Sequence, residues 1–166
     1  MTFLEQGTRL IIDLMTRCAM VLAPPFLRIA LAVPFFKSGL TKWDGFLSLS
    51  PAAAFLFEEV FKLNVFGATF DLPAPETLAL LDAIAEIVLP ILLVIGLATR
   101  FSAFGLLIMT GVIQLVVPEG WANFHLPWAA LAMAIIALGP GPLSLDHFIT
   151  KRFQRSPTSG LGRGAM

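Results

Sequence analysis

Polar and apolar positions along the chain sort into four long apolar stretches joined by shorter polar ones. The first runs roughly from Ala23 to Leu40, the second from Thr77 to Leu97, the third from Arg100 to Val117 and the fourth from Trp121 to Leu138. A helix needs about 20 largely apolar residues to cross the hydrocarbon of a bilayer, so the pattern predicts four transmembrane helices. Pro24 and Pro25 suit the opening turn of the first, and Pro34 inside it predicts a kink. Gly96 ends the second and Thr99 suits an N-cap for the third. That connection is so short that spans two and three must be antiparallel neighbours. Pro118 ends the third span, and Gly139, Pro140, Gly141 and Pro142 end the fourth.

The flanking segments have a different period. Over residues 3–18, Phe3, Leu4, Ile11, Leu14, Met15 and Cys18 share one broad face, while Glu5, Arg9, Asp13 and Arg17 lie off it. This predicts an amphipathic helix in the membrane interface, or a polar extension of the first span. After the fourth span, Ser144 caps a short helix over 144–155, with Leu145, Phe148, Ile149 and Phe153 on one face and Lys151, Arg152 and Arg155 elsewhere, a basic amphipathic anchor. Residues 43–75 form one long aromatic-rich connection without a span, and Pro51 to Leu63 reads as a short interfacial helix. The Gly/Ser-rich segment 156–166 reads as disordered. The expected fold class is all-α: an integral membrane four-helix bundle, one domain over 1–155, with interfacial amphipathic helices at both ends.

Composition supports lipid as the solvent. The 166 residues are 57% hydrophobic and 13% charged, with mean hydropathy +0.86, and soluble domains carry about twice that share of charge. Net charge is zero, and no basic patch is present, which argues against a nucleic-acid partner. The single cysteine, Cys18, excludes an internal disulfide, a CxxC redox pair and an iron–sulfur cluster held by this chain alone. Residues 1–23 are interrupted by Glu5, Arg9, Asp13 and Arg17, so they do not read as a cleavable signal. Arg9, Arg17, Arg100, Lys151, Arg152, Arg155 and Arg163 fall on one side of the predicted bundle. The long first loop sets Lys62 against Asp44, Glu58, Glu59 and Asp71, and the last loop carries only Glu119. The positive-inside rule then predicts cytoplasmic N- and C-termini in a bacterial-type inner membrane. Lys37 and Lys42 run against that rule at the outer end of the first span, which points to a specific job for them.

Arg28, Lys37, Asp82 and Glu86 fall within predicted spans. Each costs on the order of 2.5–3.5 kcal/mol on insertion scales, so each should turn inward and pair. Asp82 and Glu86 are four residues apart and share a helix face. Counting depth predicts two rungs between the first and second helices, Arg28–Glu86 and Lys37–Asp82. Such rungs either lock the packing or line a polar cavity that binds a head group or relays protons. Gln114, Trp121, Asn123, His125 and Trp128 fall at the outer end of spans three and four. Trp at this depth ordinarily forms an interfacial belt. The candidate ligand cavity comprises Lys37, Asp82, Gln114, His125 and Trp128, with Phe35 and Phe36 as apolar walls, and it would suit a quinone-like ring. The alternative is a polar clamp between helices, with His125 an ordinary hydrogen-bonded histidine. No metal site and no covalently bound cofactor is expected. His125 and His147 fall on opposite sides of about 30 Å of hydrocarbon, which argues against a haem held between them.

Several motifs in order resemble the DoxX family of small four-helix membrane proteins. They are Arg28 with Phe36-Lys37-Ser38-Gly39-Leu40-Thr41-Lys42, Glu86 in the second span, Gly96-Leu97-Ala98-Thr99-Arg100, and Gly139-Pro140-Gly141-Pro142-Leu143-Ser144-Leu145-Asp146. The resemblance covers about residues 20–150. It implies a plasma-membrane protein whose relatives include the membrane subunit of thiosulfate:quinone oxidoreductase and partners of redox or detoxification complexes. Trp121-Ala122-Asn123-Phe124-His125-Leu126-Pro127-Trp128 resembles a subset of that family, which implies a metal-stress setting. Two functions follow as expectations. One is a membrane subunit or accessory protein of a redox complex that interacts with quinone, with a redox protein as partner. The other is a non-catalytic anchor or assembly partner for a periplasmic or metal/oxidative-stress system. The residues contain no complete catalytic constellation, so whether the chain is an enzyme, and its oligomeric state, stay open.

Overall fold

The structure is a computed structural model, and it describes residues 3–154. Among the described residues, four helices are long and apolar enough to cross a membrane. In chain order the elements are α1 (Phe3–Leu40), the hairpin β1 (Trp43–Gly45) and β2 (Ser48–Leu49), and α2 (Pro51–Phe55), which runs on as a π-helical turn over Leu56–Val60. A second hairpin follows, β3 (Lys62–Val65) and β4 (Ala68–Asp71), then α3 (Pro75–Ile95) and α4 (Thr99–Val116). A 3-10 turn (Pro118–Gly120) and a π turn (Trp121–His125) lead into α5 (Leu126–Leu138), and α6 (Leu145–Gln154) closes the described chain. Four long apolar helices are present as expected, the first starting well before Ala23, and the chain is a multi-pass membrane protein. The segment 156–166 lies outside the described residues.

Packing is inverted relative to a soluble domain, as lipid solvent requires. The outer faces show Ile29, Val33, Val88, Ile91, Phe104 and Ile108. The buried set includes Arg28, Glu86, Thr99, Ser102, Thr110, His125 and Ser144. The helices close a ring in which α1 packs against α3 and α5, and α4 packs against α5 and α3. Leu31, Phe35, Leu93, Leu106 and Ile135 fill the centre, with Ala32, Ala103 and Ala132 letting the helices approach.

Three expectations are corrected. The first concerns residues 3–18, which form no separate interfacial helix, because α1 is continuous from Phe3 to Leu40 with Pro24 and Pro25 inside it. Two adjacent prolines remove two hydrogen bonds from one turn but leave the helical path open on either side. At 38 residues, α1 is about 57 Å long at 1.5 Å per residue, nearly twice the hydrocarbon thickness. Burial begins at Ala23 and Pro24, and residues 6–22 are exposed. The second concerns Pro51 to Leu63, expected as one short helix: α2 and its π turn end at Val60, Lys62 and Leu63 open β3, and two short antiparallel hairpins flank the helix within a fold that is otherwise all-α, as expected. The turn Phe66-Gly67 has positive φ at both residues, as a two-residue hairpin turn requires. The third concerns Thr99, which is not the cap of α4.

Candidate functional site

The motifs that carry the family resemblance gather at two opposite ends of the bundle. At the end holding the α3–α4 hairpin, Gly96 adopts the left-handed conformation (φ 73°) that terminates α3. Its missing side chain leaves the space that the Arg28 guanidinium occupies, since a Cβ there would clash with Nη1. Arg28 is buried; its Nη2 donates to the Leu143 carbonyl at 2.5 Å and its Nε to the Pro24 carbonyl at 3.4 Å. The Asp146 carboxylate accepts from the Ala98 and Thr99 backbone N–H groups at 2.8 and 2.9 Å. This acidic side chain, distant in sequence, thus caps α4 at its positive end. The Asp146 N–H in turn donates to the Gly96 carbonyl at 2.9 Å. Ser144 behaves as expected, accepting from the His147 N–H while its hydroxyl donates to the Gly141 carbonyl. Partial burial works against the Asp146 charge, but the Thr99 and Ala98 hydrogen bonds and the nearby Arg28 outweigh it, and its carboxyl sits below the usual range. This cluster is a clasp: it ties the first helix, the central hairpin and the last helix together.

The second cluster lies at the opposite end, below the long loop. Gly39 is where α1 meets α3, because a Cβ at that position would come within 2.9 Å of Glu86 Cβ. The chain then leaves α1 through a turn in which the Thr41 and Lys42 N–H groups donate to the Ser38 and Gly39 carbonyls. That turn swings Lys42 over α3. Its ammonium donates to Glu86 Oε2 at 2.6 Å and also to Asp82 Oδ2. It further lies 5.6 Å above the centre of the Phe57 ring.

Both expected rungs are therefore wrong. Arg28 is not the partner of Glu86, because it lies 11 residues before Gly39, about 16 Å along the helix axis from the Glu86 level. Lys37 is not the partner of Asp82, because its side chain is exposed on the outer face of α1. Lys42 takes both carboxylates instead. Two sequence signals pointed to it: its place in the motif that carries the family resemblance, and a charge that runs against the positive-inside expectation.

The triad borders a cavity of about 620 Å³ between α1, α3 and α4. Asp82 and Trp128, two of the five residues expected there, line it; Lys37, Gln114 and His125 do not. Ser38, Thr41 and Lys42 add the polar part of the wall, and Phe35, Met109, Ile113 and Phe61 belong to the apolar part. Ala53, Leu56 and Phe57, from α2 and its π turn, cover the loop end. Trp128 packs on Phe35 with ring centres 5.1 Å apart. His125 is buried beside the cavity, behind Trp128, with ring centres 5.6 Å apart. Its Nδ1 lies 2.6 Å from Gln114 Oε1, and Gln114 Nε2 donates to the Pro118 carbonyl at 3.2 Å. That second bond orients the amide, so Nδ1 carries the proton and donates. Gln114 and His125 are thus a clamp between α4 and the π turn. Among the described residues no group of three or more His, Cys, Asp or Glu side chains could hold a metal ion.

The DoxX family profile matches residues 23–119, more than half of the chain. The chain belongs to the DoxX family. It is also 32% identical over 143 residues to an uncharacterized protein of Haemophilus influenzae, covering 75% of this chain and 82% of that relative. No solved structure matches. The matched region contains Arg28, Gly96, Lys42, Asp82 and Glu86, hence the triad and much of the clasp, while Leu143 and Asp146 lie beyond it.

Proposed function

We propose that this DoxX protein is the membrane-embedded subunit of an inner-membrane redox complex, and that its cavity receives the ring of a quinone. The observation that carries this reading is an apolar cavity with an ammonium and two carboxylates at one wall. Ligand pockets typically enclose about 300–1,000 Å³ and combine apolar walls with a few placed polar groups, and the volume here falls in that range. Lys42 can donate to a ring carbonyl, and Asp82 and Glu86 can accept from a ring hydroxyl. When bound, the quinone supplies the electron-accepting chemistry. The protein's part is to orient the ring, exclude water with α2 and Phe57, and present donor and acceptor together. Electrons then come from a soluble redox partner.

Orientation follows the same reading. Arg9, Arg17, Arg100, Lys151 and Arg152 lie on the clasp side, whereas the loop side carries Lys37, Lys42 and Lys62 among Asp44, Glu58, Glu59, Asp71 and Glu119. The positive-inside rule puts the clasp and both termini in the cytoplasm, and the cavity in the outer leaflet.

The test is extraction of the purified protein from quinone-containing membranes, with bound quinone measured by chromatography. Near-stoichiometric quinone is expected in the wild type and in His125→Ala, and strong depletion in Lys42→Met. Wild-type protein free of quinone that also fails to bind a tail-less benzoquinone would overturn the reading. One observation favours the second reading, a non-catalytic anchor or assembly partner for a periplasmic or metal/oxidative-stress system. Phe46 and Phe66, at the tips of the two hairpins, are 95% and 107% exposed. On that reading a soluble partner co-purifies equally well with Lys42→Met.

A further inference from the structure

We infer that the cavity fills sideways from the bilayer, through a gap between α3 and α4, and that its ligand is a neutral ring carrying a long apolar tail that lies in this gap. The inference rests on the quinone reading for the identity of the ring, and adds the route of entry and the tail.

The gap lies between α3 and α4. Near the hairpin they touch: a Cβ on Gly105 of α4 would come 2.9 Å from Leu89 Cδ1 of α3. About 12 Å further along α3 lies Leu81, and about 10 Å further along α4 lies Val112, at 1.5 Å per residue. Both residues line the cavity, yet Leu81 is 58% exposed and Val112 48% exposed. A side chain that lines a cavity and also faces outward marks an opening, and these two mark one between α3 and α4. This mouth opens six residues inside the start of α3 and four residues before the end of α4, within the predicted spans, and Leu81 and Val112 give it an apolar rim. On the loop side buried Ala53 and Phe57 cover part of the cavity, with Lys42 held over the Phe57 ring, while Ala52, Leu56 and Val117 line it and are exposed, a second opening toward the loops. The polar triad faces the mouth from the α1–α3 wall. An amphiphile entering head first would place its head at Lys42, Asp82 and Glu86 and leave its tail between Leu81 and Val112.

Charge selects the head. Two carboxylates around one ammonium carry one excess negative charge when all three are ionised. A phosphate-headed lipid would meet that excess in a low-dielectric site, where like charges repel strongly. A neutral ring with carbonyl or hydroxyl groups meets donor and acceptor without that penalty.

The test uses the full-length protein in nanodiscs of neutral lipid. Leu81→Trp combined with Val112→Trp narrows the mouth without touching the triad. Ile84→Trp combined with Ile108→Trp is the matched control, since both residues are exposed on the same helices and neither lines the cavity. The probes are a tail-less benzoquinone and a prenylated one. The mouth variant should bind the prenylated probe about tenfold more weakly or worse, a loss of at least one decade in affinity, while binding the tail-less probe like the wild type. The control variant should bind both normally. Unchanged binding of the prenylated probe by the mouth variant overturns lateral entry while leaving the quinone reading intact. Equal losses in the control variant also overturn it. Wild-type protein that binds neither probe removes the quinone reading itself. A diacyl phospholipid released from the wild type, and depleted by the mouth variant, overturns the choice of ligand.

Discussion

Lys42→Met is the most informative single change, because it separates the observed pairing from the one that depth alone suggests. The Lys42 side chain is 13% exposed and contacts Glu86, 4% exposed, and Asp82, 22% exposed. Removing the ammonium leaves two carboxylates facing each other with no counter-charge. Breaking a buried pair from one side costs about 3–5 kcal/mol, mostly the penalty of the uncompensated survivor. The triple change Lys42→Met, Asp82→Asn, Glu86→Gln removes all the charge at once, and the same argument predicts that it recovers most of the loss. Lys37→Met, five residues away and exposed, should stay within about 0.5 kcal/mol of wild type, as surface substitutions do. The assay is reversible unfolding in mixed micelles, following helicity as denaturing detergent is added. If Lys37→Met costs as much as Lys42→Met, or if the triple variant is as unstable as the sum of its parts, the triad is not the unit described here.

Two further outcomes concern the clasp. Gly96→Ala should destabilise the bundle by at least about 1–2 kcal/mol from the left-handed backbone alone, and more because the new Cβ meets Arg28 Nη1; thermal unfolding in detergent measures it, and a neutral result would remove Arg28 from that position. Asp146 has a folded-state pKa below its ordinary 3.8. Its stabilisation is therefore fully present above that value and is lost as pH falls through the depressed folded value. Wild-type stability should drop across that acid window, and Asp146→Asn should start lower and show a smaller drop; identical pH profiles would refute the capping role.

The four spans, the short hairpin and the membrane setting were all determined by the sequence alone. Hydropathy over some 20 residues, Gly96 at a helix end and the Gly139–Pro142 break are local properties, and local chemistry decides them. Which charges meet is not local. Lys37 and Lys42 both fall at the outer end of the first span when residues are counted, yet one ends on the outer face of α1 and the other over α3. Three things set that difference: the rotation of α1 about its axis, the close approach at Gly39, and a turn after Leu40 that period counting does not register. Depth counting likewise grouped Gln114 and His125 with Asp82, although Trp128 stands between His125 and the cavity. Cys18 and its neighbours carried an amphipathic pattern that suits either a separate helix or an extension of α1, and only the continuous backbone through Pro24 and Pro25 decided between them. The cap on α4 came from Asp146, 47 residues beyond Thr99, and no window along the chain could connect the two. Helix existence is written in hydrophobicity, which each segment carries by itself. The pairing of buried polar groups is set by how helices rotate and approach one another, and that is fixed only when all four have packed.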